Sequence, residues 1–157
     1  MVNITKSTNP TKDKDIKRDW HLVDASKKVL GRFATEIVKF LQGKHKTNYA
    51  PYLDNGDYVV VINAKRVQIT GRKAETKIYS SYSGYPGGQK NITFANLLEK
   101  NPAEIIKRAV SGMLPKNKLR DRRLTRLFIY ADDKHPYEEK FKRQNLIPIK
   151  SGLKVKN

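Results

Sequence analysis

The chain has 157 residues, with 33 Lys or Arg against 15 Asp or Glu, a formal charge of +18 and no cysteine. This length supports one domain with a real core, and the lack of cysteine excludes a disulfide frame, a thiolate nucleophile and a cysteine zinc site. Such a cation excess attracts nucleic acid or an anionic membrane. The longest purely apolar run, Val59 to Ile62, is far short of the ~18 residues of a spanning helix, and no segment opposes a broad apolar face to a wholly basic one.

Residues 1–19 and 138–157 are polar and charge-rich and read as flexible arms that order only on a partner, which leaves 20–137 as the folded domain. The N-terminal text KSTNPTKDKDIKRD has no apolar stretch of the kind a secretory signal needs, so a cytoplasmic protein is expected. Trp20, the only tryptophan, reads as a cap on the core before a short strand, His21 to Ala25. Ser26 is placed to cap a helix whose Leu30, Phe33, Ala34, Ile37 and Leu41 share one face and which stops at Gly43. Arg32, Lys39, Lys44, His45 and Lys46 lie on its outer face or just past its end. They suit either a solvated terminus that complements the helix dipole or a phosphate.

The run DYVVVI, Asp57 to Ile62, is the pattern of a strand covered on both faces, as in a parallel sheet flanked by helices. That makes the fold class α/β. Asn55-Gly56 is a turn signal. Asp54 and Asp57 fail the spacing of a calcium loop and are read as turn and cap residues. Val67 to Thr70 is a weaker third strand, and Lys65, Arg66, Arg72, Lys73 and Lys77 around it meet only Glu75.

In KIYSSYSGYPGGQK, residues 77–90, the phosphate-loop pattern fails because Gly88 is followed by Gln89. Tyr79, Tyr82 and Tyr85, set among Gly84, Gly87 and Gly88 and followed by Lys90, either pack or stack on unpaired bases and ribose. Thr93 then caps a helix with Phe94, Leu97 and Leu98. Asn101 with Glu104 resembles a capping box opening a second helix at Pro102, which buries Ile105, Ile106, Ala109, Val110 and Met113 and stops at Gly112 and Pro115.

From Pro115 to Arg126 the chain places Lys116, Lys118, Arg120, Arg122, Arg123 and Arg126 against Asp121 alone. Closely spaced cations repel one another, so the counter-charge is expected from outside, with a phosphate backbone as the partner. LFIYA, Leu127 to Ala131, reads as another sheet strand. His135 begins the exit to the C-terminal arm and suits hydrogen bonding to RNA or backbone better than acid–base work. None of His21, His45 and His135 belongs to a zinc or hydrolase spacing, and no carboxylate cluster is evident. No catalytic site, metal site or cofactor is therefore expected. An RNA-processing enzyme and a general nucleic-acid binder are the rival readings.

Together the segments resemble the universal family of large-subunit ribosomal protein thirteen, of bacterial type. The resemblance rests on Trp20 with Val23-Asp24-Ala25, Leu30-Gly31-Arg32, Gly43-Lys44-His45-Lys46, Gly56-Asp57 with Val60 to Ala64, and Thr70-Gly71. It continues through Ser83 to Gly88, Ala109-Val110, Gly112 to Pro115, Tyr130-Ala131 and His135-Pro136. The chain departs from the family at Leu119-Arg120-Asp121, where Leu-Gly-Arg is usual, and at Tyr137, where a second histidine is usual; its N-terminal arm is also long. The resemblance implies a single three-layer α/β/α domain with a mainly parallel four-stranded sheet. It implies a non-catalytic protein of the cytoplasmic ribosome that binds large-subunit rRNA, touches neighbouring large-subunit proteins and acts early in assembly, with no membrane or small-molecule partner. The RNA-facing positions it implies are Arg32, Lys44, His45, Lys46, Gly84 to Gly88 and the basic residues after Pro115.

Overall fold

β-Branched residues at the centre of the chain decide the architecture. In the computed structural model, which describes residues 10–143, a three-residue 3-10 turn, Asp13–Asp15, precedes β1 (Trp20–Asp24), α1 (Leu30–Gln42) and β2 (Tyr58–Ile62). A second 3-10 turn, Ala64–Arg66, leads to α2 (Lys73–Thr76), β3 (Ile78–Tyr82) and β4 (Gln89–Thr93). Then come α3 (Phe94–Lys100), α4 (Pro102–Met113), α5 (Leu119–Leu124), β5 (Leu127–Ile129) and α6 (Glu138–Arg143).

The main sheet has the order β1-β2-β5 and is parallel throughout. Register places Val23 beside Val61 and Ile129, with Val59 beside Leu127. Because side chains alternate along a strand, Val23, Val59 and Val61 join Phe33, Ala34, Ile37 and Leu41 of α1 and Ile105, Ile106 and Val110 of α4 in one core. Each Val, Leu, Ile or Phe among them contributes about 1.5–3 kcal/mol on burial. The opposite face carries aromatics. Trp20 stacks on Tyr58 at 4.5 Å and Phe128 at 5.9 Å, and also meets Tyr137 at 5.0 Å and Phe141 of α6 at 6.3 Å. Val60, wholly buried beneath this layer, explains why the Val59–Ile62 run is apolar without a break.

The structure differs from the sequence reading in local chemistry. Among the described residues the parallel sheet has three strands, not four. Asn63 adopts left-handed φ 57° and the 3-10 turn follows at once, so the 67–70 segment reaches only a single parallel bridge, Val29 to Gln68. Ser26 does not cap α1. Its N–H donates to Asp24 Oδ1 at 2.9 Å, Lys27 turns left-handed at φ 59°, and the helix begins only at Leu30. Asn101 makes no side-chain cap, since Glu104 is engaged by Arg108 one turn on. Met113, expected in the core, is 45 % exposed. The glycine-rich segment is a separate antiparallel hairpin, β3 with β4, and a short helix, α5, interrupts what reads in sequence as a basic loop.

Of the N-terminal arm, residues 11–18 lie along the 46–54 segment. Thr11 Oγ1 donates to the Asn48 carbonyl, Tyr52 donates its hydroxyl to the Thr11 carbonyl, and Arg18 donates to the Asp54 carbonyl. Residues 1–9 and 144–157 of the two arms lie outside the described residues. No described helix is long and apolar enough to cross a membrane.

Candidate nucleic-acid interface

The tight turn from Asp54 to Asp57 gathers two cationic segments. It fits under the end of α1 because both glycines in the contact lack a side chain. A Cβ on Gly56 would lie 1.9 Å from the Leu41 carbonyl oxygen, and one on Gly43 would lie 2.5 Å from that of Asn55. Gly43 ends α1 in the left-handed conformation at φ 76°, as its position in the sequence predicts, and so starts the Lys44-His45-Lys46 turn. Asn55, buried in the middle, donates to the Asn48 carbonyl at 2.6 Å.

Asp57 is fully buried and holds the Lys44–Lys46 turn. Lys46 pairs with its Oδ1, while His21 and His45 each place Nε2 2.9 Å from Oδ2. The Asp19 N–H adds a 3.0 Å bond to Oδ1, and Lys46 also reaches the Lys17 carbonyl at 2.5 Å. Burial pushes the Asp57 carboxyl up, but the hydrogen bonds from His21, Lys46 and Asp19 and the Lys46 charge outweigh it and hold the group below its usual range.

Asp54 does the same for α5. Arg126 grips its carboxylate in a fork, Nη1 to Oδ2 at 2.7 Å and Nη2 to Oδ1 at 2.5 Å, while Arg123 Nε lies 3.5 Å from Oδ1. Arg123 is 2 % exposed and Arg126 7 %. The expectation that no acid of this chain neutralises these two arginines is therefore corrected: Asp54, some seventy positions earlier in the sequence, does so. Arg120 is also drawn inward, with Nη2 on the Ser111 hydroxyl. Asp54 and Asp57, read as turn and cap residues, are the internal counter-ions of the basic clusters. Their role is invisible to spacing rules because their partners come from remote segments.

The remaining cations face outward. Arg32, Lys44, Arg66, Arg72, Lys73, Lys77, Lys90, Lys116, Lys118 and Arg122 are exposed, and none of them is paired with an acidic side chain among the described residues. Lys65 is exposed too but meets Asp132 at 3.1 Å. On the hairpin, Tyr79 packs between Lys77 and Arg108, whose charged groups lie 5.2 and 5.4 Å from its ring, and burial pushes its phenol up despite the Arg108 charge. Tyr82 and Tyr85 are 67 % and 75 % exposed near the tip, where Gly84 and Gly87 take left-handed φ of 91° and 74° and Gly88 closes the turn by donating to the Tyr85 carbonyl. His135 accepts the Tyr137 N–H at Nδ1 and leans on Tyr130 and Phe141.

Comparison with known proteins gives the same direction. The chain is 53 % identical over 131 residues, 83 % of its length and 92 % of the relative's, to the large ribosomal subunit protein uL13 of Pelobacter propionicus. It is 51 % identical over 133 residues to that of Geobacter sulfurreducens, with 85 % and 93 % covered, and 50 % identical over 133 residues to that of Thermotoga maritima, with 85 % and 89 % covered. The family model described as ribosomal protein L13 matches residues 18–136, a span that holds the sheet, both long helices, the hairpin and the 54–57 turn, and the chain belongs to that family.

Proposed function

We propose that this chain is a structural, non-catalytic constituent of the large ribosomal subunit, which binds large-subunit rRNA through its exposed basic segments and joins early in assembly. As a ribosomal protein of bacterial type it is part of a ribonucleoprotein and works in translation, in the cytoplasmic ribosome. In this reading residues 20–137 are the RNA-binding unit, flanked by basic arms, and neighbouring large-subunit proteins are its other partners.

One observation carries the reading. Asp54 and Asp57 are already engaged by His21, His45, Lys46, Arg123 and Arg126. The cations left on the same segments, Lys44, Lys116, Lys118 and Arg122, are exposed without an acidic partner among the described residues. A fold that commits Asp54 and Asp57 to fixing the path of its basic segments is preorganised for a polyanion, because the ordering entropy of those segments is lost on folding and not again on binding. Phosphates then meet Arg32, Lys44, Lys65, Arg66, Arg72, Lys73, Lys77, Lys90, Lys116, Lys118 and Arg122. Tyr82 and Tyr85 offer faces to unpaired bases or ribose, and Gly84, Gly87 and Gly88 let RNA approach the hairpin backbone. His45 and Lys46 shape their turn from within. Bridging RNA segments that repel each other lowers the free energy of the compact RNA fold.

The test is the salt dependence of binding to large-subunit rRNA. Neutralising Z phosphates gives a slope of about −0.7Z to −0.9Z for log affinity against log salt. Replacing Lys116, Lys118 and Arg122 together by Ala should weaken binding and flatten that slope by about 2 to 3, with unfolding unchanged. An affinity insensitive to salt, or a triple variant that binds as well as the parent, overturns the proposal. Omitting the protein from the first stage of a subunit reconstitution and adding it back late should leave particles incomplete if it acts early.

A further inference from the structure

We propose that His21, His45 and Asp57 form a binding site for one borderline transition-metal dication such as Zn²⁺, with two imidazole nitrogens and one carboxylate oxygen as ligands and solvent in the fourth position. The donors come from three places: β1, the turn after α1, and the residue before β2. Both Nε2 atoms lie 2.9 Å from the same oxygen, Asp57 Oδ2, and the three donor atoms are within 4.8 Å of one another. Ligand bonds of about 2.0–2.2 Å in a tetrahedral zinc site separate donor atoms by roughly 3.4 Å. Admitting an ion thus needs the two imidazole-to-carboxylate contacts to open by about half an ångström and the two Nε2 atoms, which lie within 4.8 Å of each other, to settle at a similar spacing.

Charge balance alone does not account for the arrangement. Asp57 has one negative charge, and Lys46 already neutralises it at Oδ1, where the Asp19 N–H also binds. Two further imidazoles nevertheless converge on the free oxygen. Their rings are held in place: Phe40 stacks on His21 at 4.3 Å and meets His45 edge-on at 5.2 Å, and the two imidazoles cross at 86°. The contacts on Oδ1 fix the carboxylate so that it presents Oδ2 alone, the supporting role that outer hydrogen bonds play around metal ligands. Access is from one side, since His45 keeps 32 % of its side chain exposed whereas Asp57 has none.

The donor set selects the ion. Imidazole with carboxylate suits Zn²⁺, Co²⁺, Ni²⁺ or Cu²⁺, while Mg²⁺ and Ca²⁺ take oxygen ligands. Without metal His21 is hydrogen-bonded to Asp57 Oδ2 through Nε2, while His45 Nε2 makes a close polar contact with the same oxygen. To ligate there, each ring presents an unprotonated Nε2 and carries its hydrogen on Nδ1, so the ion takes the place of these two contacts. The Lys46 ammonium repels a dication, which makes the site weaker than a closed four-ligand zinc centre. The site does not depend on whether the surface binds rRNA.

The experiment is a Co²⁺ titration of the full-length, chelator-stripped protein followed by visible absorption, then displacement by Zn²⁺. Saturation at one equivalent with the d–d band of four-coordinate Co²⁺ is expected, lost on addition of one equivalent of Zn²⁺. His45→Gln, at a partly exposed position, should weaken binding about tenfold or more. Zn²⁺ should also raise the unfolding temperature of the parent and not of the variant. If His21→Gln fails to fold, the His45→Gln comparison still decides. No saturable band in the folded parent, or a His45→Gln variant that binds Co²⁺ as the parent does, overturns the site.

Discussion

Asp54 and Asp57 stand three residues apart in one turn, and each fixes a different basic segment. Removing either leaves a cation without its partner in a place water barely reaches. Asp54→Ala strands the guanidiniums of Arg123 and Arg126, 2 % and 7 % exposed, and the loss of one partner from a buried pair costs about 3–5 kcal/mol. Denaturant unfolding should show a loss of that size, against less than about 0.5 kcal/mol for the exposed Arg122→Ala. An Asp54→Ala protein as stable as the parent would show these pairs to be incidental. The glycines divide in the same way. Gly56→Ala drives a Cβ to 1.9 Å from the Leu41 carbonyl oxygen, and overpacking of this kind costs about 1–3 kcal/mol. Gly112→Ala meets nothing within 4 Å near the end of α4 and should stabilise by up to about 1 kcal/mol, the helix preference of Ala over Gly. Thermal unfolding of the two variants should move in opposite directions. The sequence reads Gly56 as a turn residue and Gly112 as a helix stop, but that the first abuts the Leu41 carbonyl and the second lies open within α4 is visible only in the fold.

The long amphipathic helices and the central strand were legible because their information is local. Residues 30, 33, 34, 37 and 41 repeat at helical spacing and are all buried, and DYVVVI became a strand covered on both faces. Short elements were not legible. The hairpin of β3 and β4 is mostly exposed, so no apolar alternation marks it, and it joins the body through β4 running directly into α3 and through the Phe94 N–H on the Lys77 carbonyl. Its projecting tip gives it a separable role. Tyr82→Ala and Tyr85→Ala should each weaken rRNA binding by about 1–3 kcal/mol if a base stacks on the ring, leaving the salt slope and the unfolding temperature as they were. A loss of stability would mean that the rings pack instead. The segment Pro115 to Arg126 reads as a loop in sequence because its cations mask a short helix. Once Arg123 and Arg126 find Asp54, α5 has an inner side as well as an outer one.

Across the whole molecule the charge of +18 acts in two opposite senses. It repels itself in the folded protein and attracts RNA, and salt screens both. The internal pairs on Asp54 and Asp57 are shielded from that screening by burial. Raising ionic strength should therefore raise the unfolding temperature of the free protein while lowering its affinity for rRNA, as thermal melts and binding isotherms at two salt concentrations would show. If salt lowered the melting temperature, the internal pairs would not be shielded and their screening would outweigh the relief of self-repulsion. The sequence by itself determined the class of fold, the core face of α1, the end of α1 at Gly43 and the large excess of positive charge, because periodicity, turn chemistry and composition are properties of neighbours along the chain. Only the tertiary structure decided that the parallel sheet has three strands, that Arg120, Arg123 and Arg126 look inward, and that His21, His45 and Asp57 meet at one point. Those outcomes depend on which remote groups share a low-dielectric space, and separation along the chain carries no record of that.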